Sequence, residues 1–256
     1  MLTLAEKKDA KRLLRFCEGS LLGTYLGCRL RCYGFDFSFV NFWFSESGGE
    51  LTAVLGTLDN TAVLLASPCA DFEELAAFLN MRAFSSVMTT VETARRCGVS
   101  EYTEKHAFAF SGGEAVPKAQ TPDDLKDVYA LIVQEIPGSF SPEKQAYLAF
   151  LSDFNFRKNR DAARAAVIRQ TNTLCACALT AAETPAAAVL SGVASDPRFR
   201  GKGFGKRVVL SLAHTLQNEG KRVYVIALND SAASFYQKIG FQPDETIAFI
   251  ERTTHV

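Results

Sequence analysis

The sequence contains few of the residues that would assign it to a metal-dependent or disulfide-rich class of protein. It has three histidines and seven cysteines, and no two cysteines form a CxxC pair, so no zinc-site pattern is present. An odd number of cysteines without a disulfide framework is typical of reduced thiols in the cytosol. Cys175 and Cys177 lie two residues apart in a predicted strand, and we interpret them as small core side chains. We therefore expect neither a metal nor a disulfide-stabilised fold.

Neither sign of charge is in excess. The 256 residues include 28 Lys and Arg and 28 Asp and Glu, which gives a net charge of zero. A neutral chain has no general electrostatic attraction for nucleic acid or for an acidic membrane, so we expect neither as a partner. Any anion-binding site must then be local.

Long apolar segments are also missing. The N-terminal stretch MLTLAEKKDAKRLLRF is charged and amphipathic, and it lacks the apolar h-region of a secretory signal. No run approaches the ~18 apolar residues of a membrane span. With 48% hydrophobic residues the chain can still form a full core. We expect a globular cytoplasmic protein, either a monomer or a homodimer.

A polar linker divides the chain into two halves. The segment SGGEAVPKAQTPDD (Ser111–Asp124) is rich in glycine, proline and polar residues, as linkers are. We place a domain boundary near residue 115, which gives domains over residues 1–115 and 116–256. Both are predicted to be of the α/β class, with a mixed α+β sheet.

The C-terminal half predicts helices and strands in a clear order. Helices are expected over about 121–135, 141–156, 205–218 and 229–239, and strands over 163–170, 173–180, 186–194, 222–228 and 246–252. Short turns separate the first three strands, which indicates an antiparallel meander.

The N-terminal half repeats the end of this order more faintly. Strands are expected over 35–44, 51–58, 62–66, 85–90 and 105–110, and helices over 71–80 and 92–97. The stretches VMTTVETARRCG and IALNDSAASFYQKIG both run from a strand through a polar cap into a helix that ends at glycine. The similarity indicates an internal duplication or, equally, the features that any two α/β units share.

Aromatic residues are concentrated in YGFDFSFVNFWF (Tyr33–Phe44). Phe35, Phe37 and Phe39 alternate with other residues, which predicts a strand with one aromatic face. Core packing is the default interpretation, and an apolar wall of an acceptor pocket between the halves is the more specific one.

The most informative stretch is DPRFRGKGFG (Asp196–Gly205), called the glycine loop below. It is not a Walker A loop, because Lys206 is followed by Arg207 rather than by a hydroxyl residue. It is not a Rossmann loop either, because Lys206 replaces the third glycine and no acid follows about 20 residues later. The spacing that remains is Arg200-x-x-Gly203-x-Gly205 at a strand-to-helix junction. Backbone N–H groups and the helix dipole favour a pyrophosphate there, and the nearby positive charges add to the attraction.

Two motifs in the C-terminal half resemble those of the GNAT acyltransferase superfamily. SGVASDPRFRGKGFGKRVV resembles its acyl-CoA-binding motif, an apolar strand followed by [RQ]xxGx[GA]. VYVIALNDSAASFYQKIGF (Val223–Phe241) resembles its second motif, a strand, an Asn, a helix with a Tyr, and Gly-Phe. The pair has the family's order and separation, and the resemblance covers roughly residues 120–252. It implies a GNAT domain at residues 116–256, preceded by a smaller, degenerate GNAT-like lobe. It also implies acyl transfer from acetyl-CoA, as co-substrate, to an amine of a small molecule or peptide, without a metal.

The resemblance assigns a CoA site to the strand and the loop that follows it. In that site, backbone groups of Val193 and Ser195 would bond the pantetheine arm in a gap between two splayed strands. An ordinary buried strand is the alternative. The residues assigned to CoA binding are Val193, Ala194, Ser195, Arg200, Gly201, Lys202, Gly203, Phe204, Gly205, Lys206 and Asn229.

Two of the implied roles have plain structural alternatives. Tyr236 would protonate the departing thiolate, since a phenol with a pKa of about 10 keeps its proton at neutral pH. Packing in the core beside Phe235 and Phe241 is the alternative. Asn229 would either orient CoA or cap the helix that follows it.

The general base is missing from its usual place. Many family members carry a Glu on the strand before the loop, and the strand AAAVLSGVAS here has no ionisable side chain. Glu183 is the nearest carboxylate in sequence, and we favour a solvated turn residue over a base. His214 is interpreted as structural. Two other functions stay open: a non-catalytic acyl-CoA sensor, and a tandem-GNAT aminoacyl transferase that uses charged tRNA, against which the zero net charge argues.

Overall fold

The computed structural model describes residues 2–82, 84–138 and 140–251, and contacts divide the chain into two compact units. The first unit holds the described residues up to Ala107, together with Ala227–Ala233 and the described part of the segment that begins at Pro243. The second unit holds Phe108–Ile226 and Ser234–Gln242. The boundary near residue 115 remains a prediction, and the units differ from it because two C-terminal segments join the first unit.

The first unit is built on antiparallel strands followed by a parallel crossover. Its elements are β1 (Thr3–Leu4), α1 (Ala10–Phe16), α2 (Leu21–Tyr33), β2 (Phe42–Ser47), β3 (Glu50–Leu58), β4 (Thr61–Ala66), α3 (Phe72–Met81), β5 (Ser86–Thr90), α4 (Val91–Arg96) and β6 (Thr103–Phe110), whose end enters the second unit. The strands β1 to β4 pair antiparallel in sequence order, and β5 pairs parallel with β4. Leu75 and Leu79, one helical turn apart on α3, pack with Trp43 and Leu64 in its core.

The second unit has the same plan. Its elements are α5 (Lys126–Glu135), α6 (Lys144–Lys158), β7 (Ala165–Gln170), β8 (Thr173–Glu183), β9 (Ala187–Ser195), α7 (Phe204–Asn218) and β10 (Arg222–Ile226). The helix α8 (Asp230–Lys238) begins in the first unit and ends in the second, and most of the last strand, β11 (Phe241–Glu251), belongs to the first. The predicted antiparallel meander is confirmed over β7, β8 and β9, and β10 pairs parallel with β9. Cys175 and Cys177 are fully buried, as predicted.

The two halves of the chain follow one order of elements. Each has a short edge pairing, which is β1 with β2 in one half and Gln120 with Val167 in the other. Two helices, three antiparallel strands, a crossover helix, a parallel strand, a helix and a final strand follow in both. The sequence indicated only the later part of this repeat, because it did not predict α1 and α2. The last strand, β11, pairs antiparallel with β5 of the first unit through Ile247–Glu251.

The predicted strand over residues 35–44 is wrong in its first part. Gly34 ends α2 with a φ of 60°, and a turn follows, closed by a hydrogen bond of 3.1 Å from Val40 N to Phe37 O. Phe37 and Phe39 pack edge-on against Tyr33, with ring centroids 6.1 and 5.8 Å apart from it. The alternating aromatic residues therefore form a cluster around a turn, and β2 begins only at Phe42.

Other boundaries differ from the predicted ones by a few residues. The helix predicted from 121 begins at Lys126, because the Asp124 carboxylate accepts a hydrogen bond of 2.9 Å from Lys126 N and so forms the turn before the helix. The strand predicted over 222–228 ends at Ile226. Arg252, the predicted end of the last strand, lies outside the described residues.

Candidate functional site

The strand β9 separates from its parallel neighbour part-way along its length. Its pairing with β10 ends at Leu190 opposite Val225, whereas β9 itself continues for five more residues, Ser191 to Ser195. The paired part of β9 is buried, and most of the unpaired part is half-buried. A gap therefore opens on one side of residues 191–195, called the β9 gap below, as the splayed-strand prediction requires.

A bulge lies at the start of the β9 gap. Cys177 faces Ala194 and Leu179 faces Ser191, so β9 carries one residue more than β8 over this interval. Gly192, with a φ of 55°, supplies the backbone conformation that the bulge needs. Burial raises the pKa of the Cys177 thiol to about 12, so the thiol keeps its proton and donates to Gly192 O at 3.5 Å.

Hydrogen bonding beyond the bulge decides which backbone groups face the gap. Asp196 N donates to Cys175 O of β8 at 3.0 Å. Successive residues of a strand direct their backbone groups to opposite sides, so the N–H and C=O of Ser195 face away from β8. Ala194, between Ser195 and the bulge, is turned towards β8, and its side chain is buried. Ser195 is thus directed towards the gap, and contacts of Val193 and Ser195 with pantetheine stay predictions.

The glycine loop leads from β9 into α7 with its backbone uncovered. Gly201 and Gly203 have φ of 75° and 80°, and a Cβ at either would have no described atom within 4 Å. Gly203 is the N-cap of α7, and no side chain caps that helix end. A Cβ at Gly205 would lie 2.9 Å from Ser195 Oγ, so this glycine allows the loop to pack against β9. Free N–H groups at an open helix N-terminus are suited to bind a phosphate.

The positive charges in and just after the loop are largely paired with acids. Arg198 donates to Asp196 at 2.6 Å, Lys206 pairs with Glu114 at 2.8 Å, and Arg200 pairs with Glu135. Within the described residues, Lys202 and Arg207 have no ion pair, and Lys202 lies over the Phe199 ring at 5.0 Å. Three of these five cations therefore have acidic partners, and their part in anion binding stays a prediction. The uncovered backbone of the loop offers N–H groups to an anion as well.

Glu135 is a site residue that the sequence did not reveal. It is the last residue of α5, its side chain is 9% exposed, and it holds the guanidinium of Arg200. Nothing in the local sequence marks it, because 65 residues separate it from its partner.

Phe204 and Tyr236 take part in aromatic contacts. Phe204 packs edge-on against Phe199, with centroids 6.2 Å apart. Tyr236 is 6% exposed, on α8 after β10, and contacts the rings of Phe235 and Phe241. Among the described residues its hydroxyl has no hydrogen-bond partner, and burial raises the pKa of Tyr236, so the phenol keeps its proton at neutral pH.

The comparisons with known proteins agree with this geometry. Residues 166–250 match the family described as FR47-like protein. An acetyltransferase from the GNAT family of Colwellia psychrerythraea has a TM-score of 0.61 at 12% identity, over 98% of this chain and 100% of that one. A GCN5-related N-acetyltransferase from Sphaerobacter thermophilus has a TM-score of 0.63 at 13% identity, over 97% and 94%. The fold of this chain is therefore that of these GNAT structures.

A further GNAT structure covers both halves of the chain. A tandem GNAT protein from the clavulanic acid biosynthesis pathway matches with a TM-score of 0.60 at 18% identity, over 97% of each chain. At such identities the likeness concerns the fold alone. No curated protein sequence matches this chain.

Asn229 and His214 both have structural contacts. Asn229 Oδ1 accepts a hydrogen bond of 2.9 Å from Ala232 N, so the side chain caps α8. A contact of Asn229 with CoA stays a prediction. The ring of His214 lies edge-on to Phe110 at 5.2 Å, and its Nε2 is 3.1 Å from Glu114 O. These contacts join α7 to the linker, which is a structural role.

Glu183 is neither a solvated turn residue nor placed to act as a base. It ends β8, and its side chain is fully buried. Its carboxylate accepts hydrogen bonds from Arg164 at 2.9 Å, Lys221 at 2.8 Å and Thr180 at 2.8 Å. The turn interpretation is wrong because two distant cations, one just before β7 and one on the turn before β10, fold over this carboxylate.

The described residues offer neither a metal-ligand cluster nor a membrane-spanning helix. No group of three or more His, Cys, Asp and Glu there could hold a metal ion. No helix in the same ranges is long and apolar enough to cross a membrane.

Proposed function

We propose that this chain is a GNAT N-acyltransferase that transfers acetyl from acetyl-CoA to an amine of a small molecule or peptide. The β9 gap carries the proposal, because the part of β9 that is not paired with β10, which includes Val193 and Ser195, leads into an open helix N-terminus. An extended pantetheine arm would complete the sheet along the gap, and the pyrophosphate would accept from the N–H groups at Gly203 to Gly205.

The proposed reaction is a direct transfer. The amine nitrogen attacks the thioester carbonyl carbon, the C–N bond forms and the C–S bond breaks. The N–H of Val193 would stabilise the charge that develops on the carbonyl oxygen. Tyr236 would supply a proton to the departing thiolate. Burial raises the pKa of Tyr236, so the phenol keeps its proton until the thiolate departs.

We also propose that the two halves are tandem GNAT lobes, of which residues 116–256 contribute the acyl-CoA site. The shared order of elements supports this division. The first half differs where CoA would bind. The Asp71 carboxylate caps α3 by accepting from Glu74 N at 3.0 Å, and Glu73 adds a second negative charge in that first turn. These acids occupy the helix end that a pyrophosphate would need.

Calorimetry with CoA and a CoA-release assay test the proposal. The assay would combine acetyl-CoA with spermidine, glucosamine and an alanyl peptide, one from each class of amine. Binding together with amine-dependent release supports an N-acyltransferase. Binding without release from any amine would favour the acyl-CoA sensor, which the absence of an ionisable side chain on β9 also favours.

A further inference from the structure

We propose that Glu135 is the proton acceptor for the attacking amine, and that Arg200 holds its carboxylate until a pyrophosphate draws Arg200 away. This inference rests on the proposed function. It supplies the base that β9 lacks, and it makes base activity depend on prior binding of acyl-CoA.

The position of α5 brings Glu135 next to the β9 gap. Ile132 of α5 covers Gly192 so closely that a Cβ on this glycine would lie 2.9 Å from Ile132 Cδ1. Glu135 is three residues further along the same helix, so the two side chains are neighbours on one face. The ion pair with Arg200 places the Glu135 carboxylate beside the glycine loop. Glu135 therefore lies one helical turn from the residue that covers Gly192, and its carboxylate contacts the glycine loop.

The exposures of the two partners differ in a way that suits a base. The side chain of Glu135 is 9% exposed, whereas that of Arg200 is 59% exposed. Arg200 can turn towards an anion at the loop, while Glu135 stays enclosed. When Arg200 turns away, the enclosed carboxylate loses its partner and can accept a hydrogen bond from the amine instead.

Two other acids of the second unit contact the loop, and each fits the role less well. Asp196 accepts from both the backbone and the guanidinium of Arg198, two residues away in the same turn, so it stays occupied. Glu114 pairs with Lys206, but its side chain is 59% exposed, so water already surrounds it. Glu135 is the most enclosed of the three, since the Asp196 side chain is 13% exposed, and its partner is the arginine of the Arg200-x-x-Gly203-x-Gly205 spacing.

Protons and electron pairs balance in the proposed step. Glu135 takes one proton from the ammonium form of the acceptor, and the neutral amine attacks the thioester carbon. The C–N bond forms, the C–S bond breaks, and the thiolate leaves as the thiol with a proton from Tyr236. The second nitrogen proton leaves to water as the amide forms, and Tyr236 and Glu135 then return to their starting states by exchange with water.

The release of Glu135 from Arg200 is tested by measuring CoA binding in the absence of an acceptor amine. Calorimetry would compare the wild type with Glu135→Gln, Arg200→Gln and the double variant. Glu135→Gln should bind CoA about threefold to tenfold more tightly, because Arg200 no longer leaves a carboxylate. Arg200→Gln should bind more weakly, and in that background Glu135→Gln should change nothing. Glu143→Gln, an exposed glutamate at the start of α6, is the matched control.

Kinetics test the proton transfer. With the best amine of the release assay, Glu135→Gln should lower kcat by about 10²–10⁴-fold without raising KM for acetyl-CoA. Glu135→Asp should restore part of the rate, and the acidic limb of the pH profile should disappear in Glu135→Gln.

Two results would overturn the inference while leaving the proposed function intact. One is weaker or unchanged CoA binding by Glu135→Gln. The other is a raised KM for acetyl-CoA with kcat preserved, which indicates that Glu135 only anchors the loop. A wild type that binds no CoA would instead refute the proposed function itself.

Discussion

The hydroxyl of Thr89 donates a hydrogen bond of 2.9 Å to the carbonyl of Leu64 in the first unit. The bond lies where β4 leaves β5, since their parallel pairing ends at Val63 opposite Met88. The first half thus has the counterpart of the β9 gap, but a buried side chain satisfies the carbonyl that pantetheine would meet. We expect one CoA per chain, measured by the stoichiometry of calorimetry and by native mass spectrometry.

The control for this stoichiometry is a variant that disables only the second half. In Gly203→Asp no site of wild-type affinity for CoA should remain, because the first half offers no second site. Two CoA molecules bound per wild-type chain, or one bound by Gly203→Asp with wild-type affinity, would contradict the assignment.

Gly203→Asp places a carboxylate in the open space at the N-terminus of α7. Negative charge and bulk would then occupy the position proposed for the pyrophosphate, and CoA affinity should fall by more than about tenfold, on the scale of one charge-assisted hydrogen bond. Calorimetry measures the affinity, and thermal unfolding checks the fold.

Gly220→Asp is a closely matched control for that substitution. Gly220 has a φ of 81°, and a Cβ there would have no described atom within 4 Å, but this glycine follows the other end of α7. Both variants bear the same backbone strain, about 1–2 kcal/mol for a side chain in the left-handed region. Equal loss of CoA affinity in the two variants would trace the effect to strain rather than to the site.

Tyr236→Phe keeps the ring contacts with Phe235 and Phe241 and removes only the hydroxyl. If the phenol assists the departing thiolate, kcat should fall by about 10²–10⁴-fold with KM for acetyl-CoA little changed. Steady-state kinetics with the best amine measure both constants.

Tyr147→Phe serves as the control, because Tyr147 lies on α6 and its ring contacts Tyr129. It should retain the wild-type kcat. A wild-type kcat in Tyr236→Phe would assign Tyr236 to the core instead.

Glu183→Gln should affect stability and leave catalysis alone. Removing the buried charge leaves Arg164 and Lys221 without their common partner, and breaking a buried ion pair costs about 3–5 kcal/mol. We expect a loss near the lower end, about 3 kcal/mol, because Arg164 also pairs with Glu219. Chemical denaturation measures the free energy of unfolding, and a selective loss of kcat at unchanged stability would return Glu183 to the catalytic candidates.

Acid should weaken the same cluster. A hydrogen bond from Arg164 holds the pKa of Glu219 below its ordinary value of 4.5. Because the folded-state pKa is the lower one, this ion pair stabilises the fold above about pH 4.5, and the contribution is lost as the pH falls through the folded-state value. The effect is small, since Glu219 is partly exposed. The drop in Tm between pH 6 and pH 4 should be smaller in Glu219→Gln than in the wild type. An identical drop in the two proteins would contradict a stabilising role of this ion pair.

The sequence alone determined the second unit's order and the place of its loop. Gly203 has a left-handed backbone conformation, and Gly205 allows the loop to approach Ser195 closely. Both requirements involve residues near in sequence, so a local pattern can indicate them. The alternation of the meander strands and the helix after the loop are likewise local patterns. The same reasoning failed for Phe35 to Phe39, because alternation describes a strand only when a partner strand is present, and here a turn precedes the strand that begins at Phe42.

Only the tertiary structure decided which charged residues form ion pairs with one another. Arg200 and Glu135 are 65 residues apart in sequence, and Glu183 and Lys221 are 38 residues apart. No local sequence pattern therefore indicates either ion pair. Ion pairs form wherever the packing of helices on strands brings opposite charges together, and this depends on all the elements at once. The tertiary structure likewise showed that β9 parts from β10 at Leu190, and that β11 pairs with β5 of the first unit. Strand register is set by the whole sheet, so the sequence could name the strands but not where their pairing ends.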